Sequence, residues 1–221
     1  MNLHAMLLQR EAAGRPVTVG LIGAGKFGTM FMTQVRRTRG MHLVGIADLD
    51  VAHARAQLSR AGWSDEAFSA ASLNDALRRR ATHVGADAEA LITCPEIEVI
   101  VEATGIPEAG IRHALTTIAH GKHIVMVNVE ADAVAGPLLA RKARAANVVY
   151  SLAWGDQPAL ICEHVDWART CVMNMVPNLP APIRPTVTGR PAASRCSSIA
   201  CKFTARFLRP STKQNDSTAQ R

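Results

Sequence analysis

Two kinds of run alternate along residues 16–151. Short, continuous apolar stretches of strand length are separated by stretches in which apolar residues recur every three or four positions, as on one face of a helix. The continuous stretches predict strands at 16–22, 41–47, 97–105, 122–130 and 148–154. The periodic stretches predict helices at 26–38, 51–62, 72–80, 86–93, 107–121 and 137–147.

This alternation predicts an α/β fold. Strands that alternate with helices form a parallel sheet, and strands that are apolar throughout are buried on both faces. We therefore predict a Rossmann-type, doubly wound parallel sheet over residues 16–170, preceded by an amphipathic helix in residues 1–15. Near the end of this region, DQPALICEHVDWARTC predicts one more helix, with Asp156 as its cap and Pro158 in its first turn.

The pattern stops after Cys171. Residues 171–221 contain six of the eleven prolines, and no apolar period persists there for two helical turns. Such a composition is typical of irregular chain, so we predict a disordered C-terminal tail over 171–221.

The net charge of +7 comes from this tail. Residues 171–221 contain eight Lys or Arg and one acid, whereas the first 170 residues contain seventeen basic and seventeen acidic residues. A basic tail could bind phosphates, but only Phe203 and Phe207 could stack on bases, and no nucleic-acid-binding motif is present. We do not expect nucleic acid as a partner.

The first predicted strand runs into LIGAGKFG, in which three glycines form the pattern G-x-G-x-x-G. Gly23 allows a tight turn, Gly25 lets a pyrophosphate approach the backbone, and Gly28 lets the following helix pack close to the sheet. The backbone N–H groups around Lys26, Phe27 and Gly28 would then face the phosphates. The alternative is a glycine-rich turn that fits the pattern by coincidence.

An acid follows at the distance that this motif requires. Asp48 ends the second predicted strand, 20 residues beyond Gly28, where a carboxylate accepts hydrogen bonds from the adenosine ribose. We therefore predict a dinucleotide site for NAD or NADP. Asp48 would repel a 2′-phosphate and favours NAD, although a shifted loop could bring Arg55 near the ribose.

Polar residues also follow the third and fourth predicted strands. Thr104 and Gly105 end VEATG, and Asn128 and Glu130 lie in VNVEAD. Ligands of open α/β sheets bind at the carboxyl ends of the strands, so we expect these four residues at the nicotinamide end of the cofactor. The alternative is that they cap ordinary loops.

At these residues the chain resembles the homoserine dehydrogenase-like oxidoreductases. The resemblance lies in VGLIGAGKFG, GIADLD, VIVEATG, GKHIVMVNVEAD and YSLAWGDQPALI, and it covers about residues 1–170. It is similar to the branch with a C-terminal SAF-type domain, which includes deoxyxylulose-phosphate reductoisomerase-like enzymes. The resemblance implies a Rossmann domain that binds NAD(P), followed by a domain for substrate binding and dimerisation.

The chain departs from this family in two places. Homoserine dehydrogenases commonly have Asn-Lys where this chain has Asn128-Val129, which puts homoserine in doubt as the substrate. After Cys171 the family continues into a long substrate domain that residues 171–221 do not resemble. We therefore expect a truncated or frameshifted oxidoreductase without catalytic residues of its own, which binds nucleotide weakly. The alternative is a non-catalytic nucleotide-binding module or redox sensor.

The resemblance also bears on partners. It implies a homo-oligomer, and a small-molecule substrate only where the missing domain is supplied. The five cysteines form no disulfide framework, and no apolar run is long enough to span a membrane, so we expect a cytoplasmic protein without a membrane partner.

Other candidate chemistry is weaker. His113, His120 and His123 lie near no acid or cysteine at ligand spacing, so we expect an ordinary helix end and strand start rather than a metal site. Cys94 is expected to be a buried structural thiol. Cys171, Cys196 and Cys201 lack the second pair of a zinc site.

Overall fold

The computed structural model describes residues 3–153, which form a six-stranded, entirely parallel sheet with helices against it. The strands are β1 (Val17–Ile22), β2 (Met41–Ala47), β3 (His83–Gly85), β4 (Val99–Glu102), β5 (His123–Met126) and β6 (Tyr150–Leu152). The helices are α1 (Leu3–Ala12), α2 (Lys26–Val35), α3 (Val51–Arg60), α4 (Leu73–Arg79), α5 (Ala88–Thr93), α6 (Pro107–Ala119) and α7 (Val129–Ala145), and Asp65–Phe68 form a short 3-10 helix. The predicted Rossmann-type α/β fold is confirmed.

The strand order is β3-β2-β1-β4-β5-β6. The chain builds outward from β1 to β3, crosses back to β4 on the other side of β1, and builds outward again. The order therefore reverses between β1 and β4. In doubly wound sheets the ligand crevice lies at this reversal, beyond the carboxyl ends of the strands.

Two buried clusters hold the helices to the sheet. One joins β1, β2 and β4 to α4 and α5, and Leu91 of α5 packs directly onto two strand glycines: a Cβ at Gly20 would lie 2.9 Å from Leu91 Cγ, and a Cβ at Gly45 would lie 2.6 Å from Leu91 Cδ1. The other cluster joins α6 and α7 to β5, around Ile124 and Leu139. These packed faces fix the carboxyl edge of the sheet, where the candidate residues lie.

The predicted strand at 122–130 and helix at 137–147 need correction. β5 ends at Met126, and α7 begins at Val129, so Glu130 lies in the first turn of a helix rather than at a strand end. The side chain of Asn128 caps this helix by accepting a hydrogen bond from the Ala131 N–H at 3.0 Å. Pro137 lies inside α7 instead of starting it, because the cap and the packing of Leu139 support the helix through the proline.

The sequence pattern also misses β3. This strand has only three residues, and it exists because Gly45, Ile46 and Ala47 of β2 pair with it. The predicted helix from Asp156 and the tail at 171–221 lie outside the described residues. Within residues 3–153, no helix is long and apolar enough to cross a membrane.

Candidate functional site

The turn between β1 and α2 is shaped by its glycines. Gly23 has φ +97°, and a Cβ there would lie 2.5 Å from the Ala103 carbonyl oxygen. A Cβ at Gly28 would press on the Gly23 carbonyl oxygen. A Cβ at Gly25 would meet nothing within 4 Å, and Gly25 is exposed. The fold therefore requires the first and third glycines, whereas the middle one leaves open space in front of the backbone.

The N-terminus of α2 receives no side-chain cap from the described part of the chain. Its N-cap residue is Gly25, and Lys26 and Phe27 open the helix without an acid in the first turn. Four other helices do have a side-chain cap, given by Asp50 to α3, Ser72 to α4, Asp87 to α5 and Asn128 to α7. The first N–H groups of α2 thus point toward the open space beside Gly25, as a phosphate site requires.

The carboxylate of Asp48 lies against this turn. Its Oδ2 accepts a hydrogen bond from the Ala24 N–H at 2.6 Å, and its Oδ1 accepts one from the Asp50 N–H at 2.9 Å. The residue is only partly buried. The acid and the glycine turn, separated in sequence, are thus in direct contact, as the motif predicts.

Arg55, the base that a shifted loop could bring to the ribose, makes other contacts in the structure. The guanidinium group of Arg55 lies 5.9 Å from the centre of the Phe68 ring, and it donates a hydrogen bond to the Phe68 carbonyl at 3.4 Å. The residue after Asp48 is Leu49, which is 90% exposed and carries no charge. Arg55 therefore lies against Phe68 rather than beside the ribose position.

The end of β4 lies directly beside the glycine turn. The Ala103 N–H donates to the Ile22 carbonyl at 2.7 Å, and a Cβ at Gly23 would lie 2.9 Å from the Thr104 nitrogen. Gly105 has φ +70° and is exposed, with nothing within 4 Å of where a Cβ would lie. The Thr104–Gly105 turn and the β1–α2 turn therefore lie side by side at the reversal between β1 and β4, where the ligand crevice of such sheets is expected.

The side chain of Thr104 points inward from this turn. Its hydroxyl donates a hydrogen bond to Glu102 Oε1 at 2.5 Å and accepts one from the Ile106 N–H at 3.3 Å. A nicotinamide at this edge would therefore meet the backbone of Thr104 and Gly105, since the hydroxyl proton is already used.

Glu102 is a site residue that the sequence analysis missed. It is the last residue of β4 and is fully buried, and the His113 Nδ1 lies 3.5 Å from its Oε1. Glu102 is the only charged residue of β4, but the predicted strand at 97–105 also contains Glu98, so the sequence does not single Glu102 out. Glu102 also gives His113 an acidic neighbour that sequence spacing could not reveal.

The candidate residues after β5 are spread apart. Asn128 is buried and serves as the cap of α7, whereas Glu130 is exposed in the first helical turn. Asp132, in the same first turn, accepts a hydrogen bond from the Tyr150 hydroxyl at 2.6 Å. Burial, together with this bond to Asp132, raises the pKa of Tyr150 far above its ordinary value. Asn128 is therefore a buried helix cap at the carboxyl edge of the sheet, whereas Glu130 faces solvent.

Other buried polar groups serve the fold. Lys122 donates to the carbonyls of Cys94 and Ile97 at the opposite edge of the sheet, and burial lowers its pKa. Cys94 is buried as expected, and burial raises the pKa of its thiol, so it is not an activated nucleophile. Residues 3–153 contain no group of three or more His, Cys, Asp or Glu arranged to hold a metal ion.

These features fit a dinucleotide. Open space lies in front of Gly25, the N-terminus of α2 faces it, and the Asp48 carboxylate borders it. Gly25 and the first turn of α2 would hold the pyrophosphate, Asp48 the adenosine ribose, and the Thr104–Gly105 turn the nicotinamide half.

Comparisons with known proteins agree with this geometry. The family described as "Homoserine dehydrogenase, NAD binding domain" matches residues 23–152. No curated protein matches the chain. The similar solved structures include a homoserine dehydrogenase from Thiobacillus denitrificans, with 26% sequence identity, coverage of 62% of this chain and 29% of that chain, and a TM-score of 0.49.

Two further structures share the fold at lower identity. A myo-inositol dehydrogenase from Lactobacillus casei is 19% identical over 69% of this chain and 42% of that chain, with a TM-score of 0.51. An NAD binding oxidoreductase from Klebsiella pneumoniae is 22% identical over 87% of this chain and 53% of that chain, with a TM-score of 0.50.

The chain thus spans between 29% and 53% of the length of these three proteins. The family match covers the glycine turn, Asp48, the end of β4 and the start of α7, and it confirms NAD or NADP as the cofactor. The chain belongs to the family of homoserine dehydrogenase NAD-binding domains.

Proposed function

We propose that this domain binds NAD in preference to NADP, as the cofactor half of an oxidoreductase. The observation that carries the proposal is the pairing of an uncapped α2 N-terminus, open in front of Gly25, with the Asp48 carboxylate on the Ala24 N–H. Asp48 would accept hydrogen bonds from both ribose hydroxyls and would repel a 2′-phosphate. Arg55, held against Phe68, supplies no compensating charge.

When bound, the cofactor supplies hydride transfer, and the chain supplies binding and orientation. The first turn of α2 would hold the pyrophosphate, and the Thr104–Gly105 turn would border the nicotinamide. Exposed Gly105 leaves room for a substrate next to that ring. A small-molecule substrate, a homoserine-like or deoxyxylulose-phosphate-like compound among them, would require a substrate domain in the whole protein.

A nucleotide-binding module without chemistry is the second candidate. The side chains at the nicotinamide edge favour it, because Thr104 donates inward to Glu102 and Asn128 caps α7. The lysine that commonly follows the asparagine in homoserine dehydrogenases is Val129 here. A module of this kind would bind the cofactor and turn over no substrate.

Thermal shift and activity measurements on the full chain separate these proposals. A ligand that binds the folded state raises the Tm in proportion to the logarithm of its concentration. We expect a larger shift with NAD⁺ than with NADP⁺ at equal concentration. An equal or larger shift with NADP⁺ would contradict the proposed preference.

Turnover distinguishes the enzyme from the binding module. We expect no consumption of NADH by the full chain with a semialdehyde, homoserine or deoxyxylulose-phosphate substrate, because Thr104 donates inward to Glu102 and Asn128 caps α7. Measurable consumption would show that the chain is an enzyme as it stands. The expectation that 171–221 is not a substrate domain lies outside the described residues, and rapid trimming of that segment by protease would support it.

A further inference from the structure

The carboxylate at the end of β4 plays no part in the dinucleotide motif. Glu102 is 0% exposed. Burying a charged side chain is costly unless its oxygen atoms are well paired, so a carboxylate at this position needs a reason. Its contacts fall into two sets, one for each oxygen atom.

One oxygen atom holds the Thr104–Gly105 turn. Glu102 Oε1 accepts hydrogen bonds from the Thr104 hydroxyl at 2.5 Å and from the Thr104 N–H at 3.3 Å. The same hydroxyl accepts a bond from the Ile106 N–H at 3.3 Å. The conformation of the turn on both sides of Gly105 therefore depends on one buried oxygen atom.

The other oxygen atom lies beside Gly110 of α6. A Cβ at Gly110 would lie 3.1 Å from Glu102 Oε2 and 2.9 Å from Asn128 Nδ2. Neither atom has a hydrogen-bond partner within residues 3–153. Asn128 Oδ1 accepts from the Ala131 N–H, and this bond determines which end of its amide faces Gly110. An acceptor and a donor thus approach the same glycine from β4 and from the start of α7.

We propose that Glu102 is a positioning residue that sets the Thr104–Gly105 turn for the nicotinamide half of the bound dinucleotide. The inference rests on the proposed function. Glu102 is buried and does not contact the cofactor itself. It acts through the Thr104 hydroxyl and N–H, whose hydrogen bonds it accepts, so that its effect is expected only where the Thr104–Gly105 turn borders the nicotinamide.

Glu102→Gln tests this role with little change of size. A glutamine can keep its neutral amide oxygen toward Thr104, or it can turn its NH₂ group toward the Thr104 N–H and set two donors against each other. Both orientations weaken the hydrogen bonds that hold the turn, because the charged acceptor is replaced by a neutral one or is lost. Because hydrogen bonds to charged groups are the strong ones, we expect NADH to bind about tenfold more weakly to this variant.

ADP-ribose provides the readout that a merely structural role would not give. It contains the adenosine, the pyrophosphate and both ribose rings but no nicotinamide. If Glu102 acts through the nicotinamide turn, its replacement weakens NADH and leaves ADP-ribose binding unchanged. A general loss of structure would weaken both ligands together.

A matched control lies immediately before the same strand. Glu98 precedes β4 at the opposite edge of the sheet, where it pairs with Arg10 at 2.7 Å. Glu98→Gln makes the same chemical change, and we expect it to leave the affinity for both ligands unaltered. Thr104→Val is a second test, because it removes the hydroxyl that donates to Glu102 and keeps the shape of the side chain; it decides the question if Glu102→Gln fails to fold.

Calorimetric titration of the full chain and these variants with NADH and with ADP-ribose gives the result. A loss for NADH alone in Glu102→Gln or Thr104→Val supports the positioning role. Equal losses for both ligands, or no loss in either variant, would overturn it while leaving the proposed function standing. A wild-type chain that binds neither ligand would instead overturn the proposed function, and the inference with it.

Discussion

The two halves of the crevice use their polar groups in opposite directions. On the β1–β2 side, the glycine turn and the uncapped start of α2 present backbone N–H groups outward, with Asp48 at their border. On the β4–β5 side, Glu102, Thr104 and Asn128 direct their side chains inward, into hydrogen bonds within the fold.

This difference separates binding from support. A helix N-terminus without a side-chain cap leaves its first N–H groups available to a ligand. In a capped helix, a side chain of the protein already accepts a hydrogen bond from one of them. The first half therefore leaves backbone N–H groups for a phosphate, as the proposed dinucleotide site requires. In the second half, Glu102 and Thr104 hold a turn in place and Asn128 caps a helix. Any contact with the nicotinamide would therefore be made by the backbone.

The largest expected effect is at Gly25. Gly25→Ser places a side chain in the open space where a pyrophosphate would lie, and its hydroxyl caps α2 in place of the ligand. We expect the affinity for NADH to fall about a hundredfold, or about 2.8 kcal/mol, because close backbone approach is lost. The Tm of the free protein stays unchanged or rises, since serine is a good N-cap. Unaltered NADH affinity would show that the phosphates bind elsewhere.

Gly28→Ala is expected to lower the stability of the fold, whereas Gly25→Ser is expected to lower the affinity for NADH. The added Cβ presses on the Gly23 carbonyl oxygen, which belongs to backbone that cannot move aside cheaply. We expect the free energy of unfolding, measured in urea, to fall by about 2 kcal/mol, the usual size of an overpacking effect. A variant as stable as the wild type would mean that α2 does not pack this closely on β1.

Asp48→Asn tests the preference for NAD. The substitution keeps the size of the side chain and removes the charge that receives the ribose hydroxyls. We expect the affinity for NAD⁺ to fall about tenfold, or about 1.4 kcal/mol, and the affinity for NADP⁺ to rise relative to it. Asp50→Asn is the control, because Asp50 caps α3 through the His53 N–H and should not alter the ratio of the two affinities. An unchanged ratio in Asp48→Asn would remove the basis for the preference.

Asn128→Ala tests whether the polar groups on the β4–β5 side support the fold instead of binding the cofactor. Loss of the bond from the Ala131 N–H should lower the free energy of unfolding by about 1 kcal/mol, as expected for an N-cap. Asn128→Ser should restore most of that loss, because serine also caps helices. Should NADH affinity collapse in Asn128→Ala while stability holds, Asn128 would be a cofactor ligand instead of a cap.

The smallest effect at neutral pH concerns Tyr150, the only tyrosine of the chain. Burial and the bond to Asp132 raise its pKa, so phenolate absorbance near 295 nm should not appear in the folded protein around pH 10, where an unfolded tyrosine ionises. A raised folded-state pKa gives stability that is fully present below about pH 10 and lost as the pH rises above it. Phenolate formation near pH 10 in protein that circular dichroism shows to be folded would mean that Tyr150 is not buried against Asp132.

The sequence predicts the first half of the site better than the second. Gly23, Gly25, Gly28 and Asp48 belong to a motif whose spacing itself encodes a strand, a turn and a helix, and the structure places the glycine turn and Asp48 in contact. The alternation of runs likewise predicts the sheet, apart from β3, whose three residues are too few to show a pattern and are held by pairing with β2.

The second half depends on contacts between distant segments. Val129 and Glu130 continue an apolar strand in the sequence, yet they begin α7 because Asn128 caps it and the helix packs against β5. Glu102 and His113 are neighbours only because α6 lies beside the end of β4. Pattern and spacing carry no information on such pairs, so the sequence shows Glu102 as a charge at a strand end but does not show its partners.

Calorimetric titration of the full chain with NADH is the most direct test of the central claim that the crevice between β1 and β4 is a dinucleotide site. The structure predicts one saturable site per chain, from which ADP-ribose displaces NADH and which Gly25→Ser weakens about a hundredfold. A folded chain that shows no saturable binding, or binding that ADP-ribose does not compete with, would contradict the claim.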